Sequence, residues 1–536
     1  MKIPLTKLFL HQLGENTLTE YQPRVRPMKH QHDALAAASA RRAFAFFMDT
    51  RTGKTKVTID DAGRLFLARE IGAVFVLCPN GMQRVWEDQI HEHLDETIPR
   101  RVYLWERPPS TKKLMAHYES LLAPGDVLRF LLMNIEAVGA QGGRYAAGLL
   151  RAHTTLMAID ESHRIGDPSS LQSRAAAKLG ALAKYKRILT GTPDGGDPLR
   201  LFSQFSFLDE RILRCNSYVA FKAEYCKLLE AGHPLVRHAA EKAARGDVKK
   251  ARWLQQRIQI PARDPVTQRP VYRNLEKLHK LIEPHCFRIK KEDCFDLPEK
   301  TFNKRYCQLS KKQRNIYDLV RKEIDAEFTH GGEDININVP LAIVKLIRLA
   351  QIAGNYFAPD REPDEDKQRL VQIESSKDNP RMEALLEIIE QEADTQTVIW
   401  AHHLAEIDEI IAALTVRYGK GSVRNIDGRI DTRMRDTVRR SFQAGDLHFL
   451  VIQIRAGIGF DLFRAETVIY YTHTYSLIDR KQSEDRTDSI QRKHPIALYD
   501  IEAQGTIDTV MLECLRAKKD LSQLLHDPQT VRNILQ

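Results

Sequence analysis

The run Phe44-Ala-Phe-Phe-Met-Asp-Thr-Arg-Thr-Gly-Lys-Thr55 decides how the rest of the chain is read. An apolar stretch ends abruptly in a polar, glycine-containing turn, and helix formers follow from Lys54 onward. A buried strand that turns directly into a helix presents backbone N–H groups at the helix N-terminus, where the helix dipole also favours an anion. Asp49, Thr50, Arg51, Thr52 and Gly53 would form such a cradle, Lys54 would neutralise the β and γ phosphates of a nucleotide, and the Thr55 hydroxyl would hold Mg²⁺. Met48 stands where the full G-x-x-x-x-G-K-[ST] pattern has its first Gly. A bare Gly-Lys-Thr also occurs at ordinary helix starts, so the reading needs a partner motif.

Residues 1–208 alternate short apolar runs with helical patterns. FAFFMD (44–49), AVFVLCP (73–79), RFLLMN (129–134), TLMAID (155–160) and KRILTGTP (186–193) each end in polar or turn residues. That alternation predicts a parallel sheet covered by helices, an α/β layer fold. Residues 209–380 read as long, charged and mostly helical, closing with an exposed, Pro-containing connection over 358–380. From 381 to 536 the alternation returns in TVIWAH (397–402), SVRNID (422–427), HFLVIQI (448–454), TVIYYTH (467–473) and IALYDIE (496–502). The expected organisation is two α/β blocks, 1–208 and 381–536, with a helical block between them.

At 536 residues the chain is long enough for about three or four structural units. Its 43% hydrophobic and 28% charged residues are the balance of a globular protein. No apolar run reaches the ~18–20 residues of a membrane helix, and the N-terminal stretch lacks a secretory core, so a cytoplasmic protein is expected. Cys78, Cys215, Cys226, Cys286, Cys294, Cys307 and Cys514 form no C-x-x-C pair, which excludes an obvious zinc ribbon or disulfide framework. The net charge of +10 permits a polyanionic partner. Its surplus is concentrated: between Arg237 and Lys280 twelve Lys/Arg stand against four Asp/Glu.

The partner motif is Asp160-Glu-Ser-His163, after the apolar run TLMAI. At a strand end it faces the same edge of the sheet as the phosphate loop. Asp160 would bind Mg²⁺, and Glu161 would polarise the attacking water. His163 reads either as a plain helix-cap histidine or as a group that couples hydrolysis to nucleic-acid contacts. One strand later, Leu189-Thr-Gly-Thr-Pro193 places two hydroxyls about a Gly, suited to a hydrogen-bonded relay from the nucleotide site to a neighbouring surface.

In this order the three elements resemble superfamily-two helicases, and more narrowly the Swi/Snf-like (Snf-two) DNA-dependent ATPases. Gln31, in Lys29-His-Gln31, is similar to the family's adenine-contacting Gln. Pro79-Asn-Gly-Met-Gln-Arg-Val-Trp86 resembles the segment that lies along a DNA strand, and Met133-Asn-Ile-Glu136 its Asn-Tyr-Glu element. His285-Cys-Phe-Arg-Ile-Lys-Lys291 and Leu297-Pro-Glu-Lys300 resemble the segment leading to a second lobe. There, Asp427-Gly428, Arg435 and Phe442 match one helix, Arg455 to Leu462 a Gly-rich fifth motif, and Gln482-Ser-Glu-Asp-Arg486 a sixth.

The resemblance implies two RecA-like lobes with a helical insertion, binding ATP and Mg²⁺ between them and tracking DNA. It implies Gly459 and Asp461 at the nucleotide, and Pro79, Asn80, Asn134, Thr190, Thr192 and Arg455 at the nucleic acid. Arg486 would be the arginine finger, with His163 and Gln482 coupling the two sites. Three departures stand out: the fifth motif has one Gly fewer than usual, Ser489 replaces the second arginine of the sixth, and Gly166 replaces a Lys after Asp-Glu-Ser-His.

Lys249, Lys250 and Arg252 lie in the basic stretch, which reads either as a solvated helix face or as a protrusion laid on the DNA backbone, with Trp253 stacked or buried. Phosphate contacts of this kind position a protein without reading sequence, and no reader module is apparent. The compact outline resembles phage and bacterial members of the family. The expectation is an ATP-driven translocase on duplex DNA, acting as a monomer. A strand-separating or annealing helicase, an RNA-dependent motor and a degenerate ATPase acting as a nucleotide-sensing scaffold are the alternatives.

Overall fold

The computed structural model describes residues 21–263, 270–296, 298–329, 339–357, 370–392, 395–454, 456, 462–487 and 494–516. They divide into two compact units: one runs to Ala262 and takes in Pro270–Phe295, and the other begins at Asp296 and includes Arg263.

The first unit is built on a seven-stranded sheet in the order β3-β4-β2-β5-β6-β1-β7, with every pair parallel. Its strands are β1 (Ala43–Met48), β2 (Ala73–Cys78), β3 (Arg100–Leu104), β4 (Leu128–Asn134), β5 (Thr155–Asp160), β6 (Tyr185–Leu189) and β7 (Cys286–Ile289). Phe47, Phe75, Leu131, Met157 and Ile188 pack into one buried cluster, and Phe46, Val76, Leu132, Ala158 and Leu189 into another. Burial on both faces is why these strands read as unbroken apolar runs rather than as alternating ones. Helices α1 (Lys29–Ala38), α2 (Lys54–Leu67) and α3 (Gln83–His93) flank the site described below. Farther along, α4 (Pro234–Ala244) and α5 (Val248–Gln255) pack together as a pair.

A charged cluster is sealed into this unit. Arg187, on β6 and fully buried, lies 2.8 Å from Asp61 Oδ2, and Arg64 lies 2.9 Å from Asp61 Oδ1. Arg187 also donates to the carbonyl of Arg42 at 3.1 Å. Its long side chain therefore crosses from the sheet to α2 with its charge compensated at the far end.

The second unit has a six-stranded parallel sheet in the order β12-β13-β11-β14-β15-β8 and a two-stranded antiparallel ladder, β9 (Tyr356–Phe357) with β10 (Val371–Gln372). Its sheet strands are β8 (Lys300–Cys307), β11 (Thr397–Ala401), β12 (Val423–Ile426), β13 (Phe449–Gln453), β14 (Thr467–Tyr470) and β15 (Ile496–Ala503). The buried Arg381 guanidinium joins elements here, donating to the carbonyls of Ala353, Tyr471 and Ile501 and pairing with Asp508. The expected pair of helix-covered parallel sheets is thus present. Residues 209–380 are shared between the units: helices Tyr218–Tyr225, α4, α5 and Leu275–Ile282 with β7 belong to the first, and β8, Lys311–Thr329 and Val339–Ala353 to the second.

Asp61→Ala would leave two buried guanidinium groups without their counter-charge, a change that costs about 3–5 kcal/mol. We expect a corresponding fall in the urea midpoint of the first unit, followed by near-ultraviolet circular dichroism. A loss below about 1 kcal/mol would show that the cluster is dispensable.

Candidate active site

The loop between β1 and α2 passes through two left-handed positions, Arg51 (φ 66°) and Gly53 (φ 92°). Alternating backbone hand turns successive N–H groups toward a common point, which is a nest for an anion. Gly53 is required twice over: its φ disfavours any side chain, and a Cβ there would stand 2.2 Å from Gln31 Nε2. Thr52 Oγ1 closes the loop by donating to the Asp49 carbonyl at 2.7 Å. Lys54, buried, donates Nζ to the carbonyls of Met48 (2.9 Å) and Asp49 (3.1 Å), which holds its ammonium at the mouth of β1.

Helix α1 secures the same loop. Gln31 donates Nε2 to the Thr52 carbonyl at 3.2 Å and accepts from the Met28 N–H at 3.0 Å, and His30 Nε2 lies 2.8 Å from that Thr52 carbonyl. Sequence reading picked out Gln31 and passed over His30. From the far end of the unit, β7 adds another tether: Asp49 N–H donates to the Ile289 carbonyl and Asp49 Oδ2 accepts from Lys291 N–H, both at 3.1 Å.

Asp160 ends β5 and is 5% exposed. Its Oδ2 accepts from Trp86 Nε1 at 3.0 Å and its Oδ1 from the Glu161 N–H at 2.9 Å. Burial, and then the Glu161 charge, push the carboxyl up to about 6, against the pull of the Trp86 bond, Lys54 and the Glu161 N–H. Glu161 takes a left-handed backbone (φ 49°). Its Oε2 lies 3.3 Å from His163 Nδ1 and accepts from Thr190 Oγ1 at 3.5 Å, while His163 Nδ1 and Thr190 Oγ1 are 3.1 Å apart. The Thr192 N–H donates to the Thr190 hydroxyl at 3.1 Å. A Cβ at Gly191 would lie 3.3 Å from Asp49 Cα and Thr50 N, so this turn packs on the phosphate loop itself.

Three motifs read separately in the sequence therefore meet in one unit. Thr190 is fully buried within the relay and Thr192 is half-buried. The donor set suits ATP with Mg²⁺: a nest and an ammonium for phosphates, and a carboxylate and hydroxyl oxygen, from Asp160 and Thr55, for a hard cation that completes its shell with phosphate oxygens.

Around this centre, Pro79 is buried and Asn80 exposed beside Gly81, whose φ is 85°. Asn134 Nδ2 donates to Glu136 Oε2 at 3.2 Å, and Glu136 Oε1 pairs with Arg164 at 2.8 Å. Lys249, Lys250 and Arg252 are exposed on α5. Trp253 is 54% exposed with Arg257 over its ring at 4.1 Å, which settles the choice left open for it in favour of the surface.

In the second unit, Gln482 and Arg486 belong to α6 (Leu477–Asp485) and its cap. Arg480 anchors this helix, 2.6 Å from Asp500 Oδ1 and stacked 3.4 Å from the centroid of Tyr470. The Arg486 carbonyl accepts from Leu462 N–H at 2.8 Å. Arg435 donates to the carbonyls of Ile430 and Asp427, at 2.9 Å and 2.8 Å. Arg455, Gly459, Asp461 and Ser489 lie outside the described residues.

A family model described as the SNF2-related domain matches residues 15–353, and one for the helicase conserved C-terminal domain matches 380–491. TATA-binding protein-associated factor MOT1 of Saccharomyces cerevisiae is 24% identical over 409 residues, which cover 69% of this chain and 20% of that protein. The Caenorhabditis elegans homolog of SWI/SNF-related matrix-associated actin-dependent regulator of chromatin subfamily A-like protein 1 is 21% identical over 495 residues, 86% of this chain and 59% of the relative. The chain thus spans less than two thirds of either relative. The solved Sulfolobus solfataricus SWI2/SNF2 ATPase core in complex with dsDNA is 19% identical, with a TM-score of 0.38 over 94% of this chain and 93% of that one. With the first model covering more than half of its length, the chain belongs to the SNF2-related domain family and carries a helicase C-terminal domain behind it.

Proposed function

We propose that the protein is an ATP-hydrolysing motor that translocates on DNA, preferentially duplex. The observation that carries this reading is the buried Asp160 beside a half-buried Glu161, which His163 and Thr190 link to a turn packed on the phosphate loop. Lys54 and the nest of residues 49–53 take the phosphates, and Gln31 takes the base. Thr55 and Asp160 hold Mg²⁺, which supplies charge neutralisation on the phosphate oxygens. Glu161, held between His163 and Thr190, orients the attacking water. Gln482, Arg486, Gly459 and Asp461 are assigned to the nucleotide and its coupling by the family pattern.

DNA recognition is assigned to the backbone. Asn80, Asn134 and Thr192 lie at or just beyond strand ends, Arg455 is assigned to the track by the family pattern alone, and Lys249, Lys250 and Arg252 extend a basic exposed face. Such contacts carry no sequence information and weaken with salt. A wedge for splitting a duplex is not among the assigned residues, and strand separation is not part of the proposal.

The test is ATP turnover without polymer and with single-stranded DNA, duplex DNA and RNA. Stimulation by duplex DNA is expected. Stimulation by RNA alone would replace DNA as the track, and no turnover with any polymer would leave a nucleotide-sensing scaffold. Lys54→Ala is expected to lower turnover about 10²–10³-fold by removing a charge aimed at the transferred phosphoryl. Glu161→Gln is expected to keep nucleotide binding while turnover falls about 10²–10⁴-fold.

Replacing Lys249, Lys250 and Arg252 together by Ala is expected to reduce the slope of log affinity for DNA against log salt by about 2–3, at roughly 0.9 per lost phosphate contact. Fluorescence anisotropy across a salt series reads this directly, and an unchanged slope would remove α5 from the interface.

A further inference from the structure

Trp86 lies on α3 and is 1% exposed. Filling space requires only an apolar ring. A buried indole N–H usually finds an acceptor as well, and here it is Asp160 Oδ2 at 3.0 Å, on a strand 74 residues farther along the chain. Among the described residues Trp86 is the only side chain that donates to Asp160. The other donor is the Glu161 backbone N–H on Oδ1, and Lys54 spends its ammonium on the carbonyls of Met48 and Asp49.

Those two bonds, one on each oxygen, fix the rotation of the carboxylate about its last bond. Each oxygen keeps a second lone pair for a ligand. A free carboxylate at a strand end samples orientations that a cation must select from, whereas one held at both oxygens meets it pre-aligned. Hydrogen bonds to a metal's ligands act in this way, and their loss typically weakens metal binding by about 10–100-fold.

We infer that Trp86 is a positioning residue for the magnesium-binding carboxylate: its indole N–H holds Asp160 in the orientation that receives Mg²⁺ with the nucleotide. The inference rests on the assignment of Asp160 to Mg²⁺ in the proposed function.

The experiment measures binding of a fluorescent ADP analogue to the full chain over a Mg²⁺ titration, with no turnover involved. Trp86 is replaced by benzothienylalanine, which keeps the ring volume and exchanges the N–H for sulfur, and separately by Phe. Asp160→Asn is the reference for loss of the ligand itself. The expected result is that half-saturating Mg²⁺ rises about 10-fold or more in the benzothienyl protein, with binding in EDTA and the thermal midpoint unchanged. Trp86→Phe should match that rise, and it carries the test if the first protein does not fold. A rise in Asp160→Asn but not in either Trp86 variant would reduce Trp86 to packing and overturn the inference alone. No rise in Asp160→Asn would overturn the assignment of Asp160, and the inference with it.

Discussion

A parallel strand can be followed by another only through a crossover, so every strand of such a sheet points the same way and every loop at a carboxyl end opens on one edge. The arrangement of the first unit follows from that constraint. Met48, Cys78, Asn134, Asp160 and Leu189 end five strands of one sheet, and the phosphate loop, the Pro79–Gly81 turn, Glu136, the Glu161–His163 segment and the Thr190–Thr192 turn come after them. Residues separated by more than a hundred positions in sequence reach hydrogen-bond distance without any device beyond the sheet.

Placing a carboxylate on that edge is costly, because burial disfavours its charge. Asp160 accepts two hydrogen bonds and has the Lys54 charge nearby, yet burial and Glu161 still raise its proton affinity. The Arg187–Asp61–Arg64 cluster shows the same economy elsewhere in the unit: charge enters the interior only with partners at contact distance. At the strand-end edge the compensation around Asp160 is only partial.

How much of this was legible depended on burial. Strands covered on both faces, such as Ala73–Cys78 and Thr155–Asp160, appear as apolar runs and were readable from the sequence. Within the two large sheets, the strands that were not recognised are β3, β7 and β8, each at an edge, and the short β9–β10 ladder was not recognised either. β8 runs Lys-Thr-Phe-Asn-Lys-Arg-Tyr-Cys, mostly half-exposed, and β3 opens on Arg100-Arg101. Edge strands carry charges that discourage pairing with other chains, and this erases the pattern that would reveal them. In the site, residues at motif spacing (Gln31, Lys54, Asp160, Glu161) were visible. The bonds of Trp86 to Asp160 and of His30 to the Thr52 carbonyl were not, since a hydrogen bond across the fold leaves no local trace in sequence.

The position of β7 has a consequence for how the protein is made. β1 and the phosphate loop sit near the sheet edge until residues 286–291 arrive, because only then does β1 gain its outer neighbour and Asp49 its bonds to Ile289 and Lys291. During synthesis at about 5–20 residues per second, those residues follow Leu189 by roughly 5–20 seconds. Through that interval the nascent unit carries all its nucleotide motifs beside a bare, apolar strand, Phe-Ala-Phe-Phe-Met, with unpaired backbone groups. A chain cut at 208 would keep that edge permanently open. The last tethers of the phosphate loop and the burial of a sticky edge are thus supplied by the same late-emerging segment.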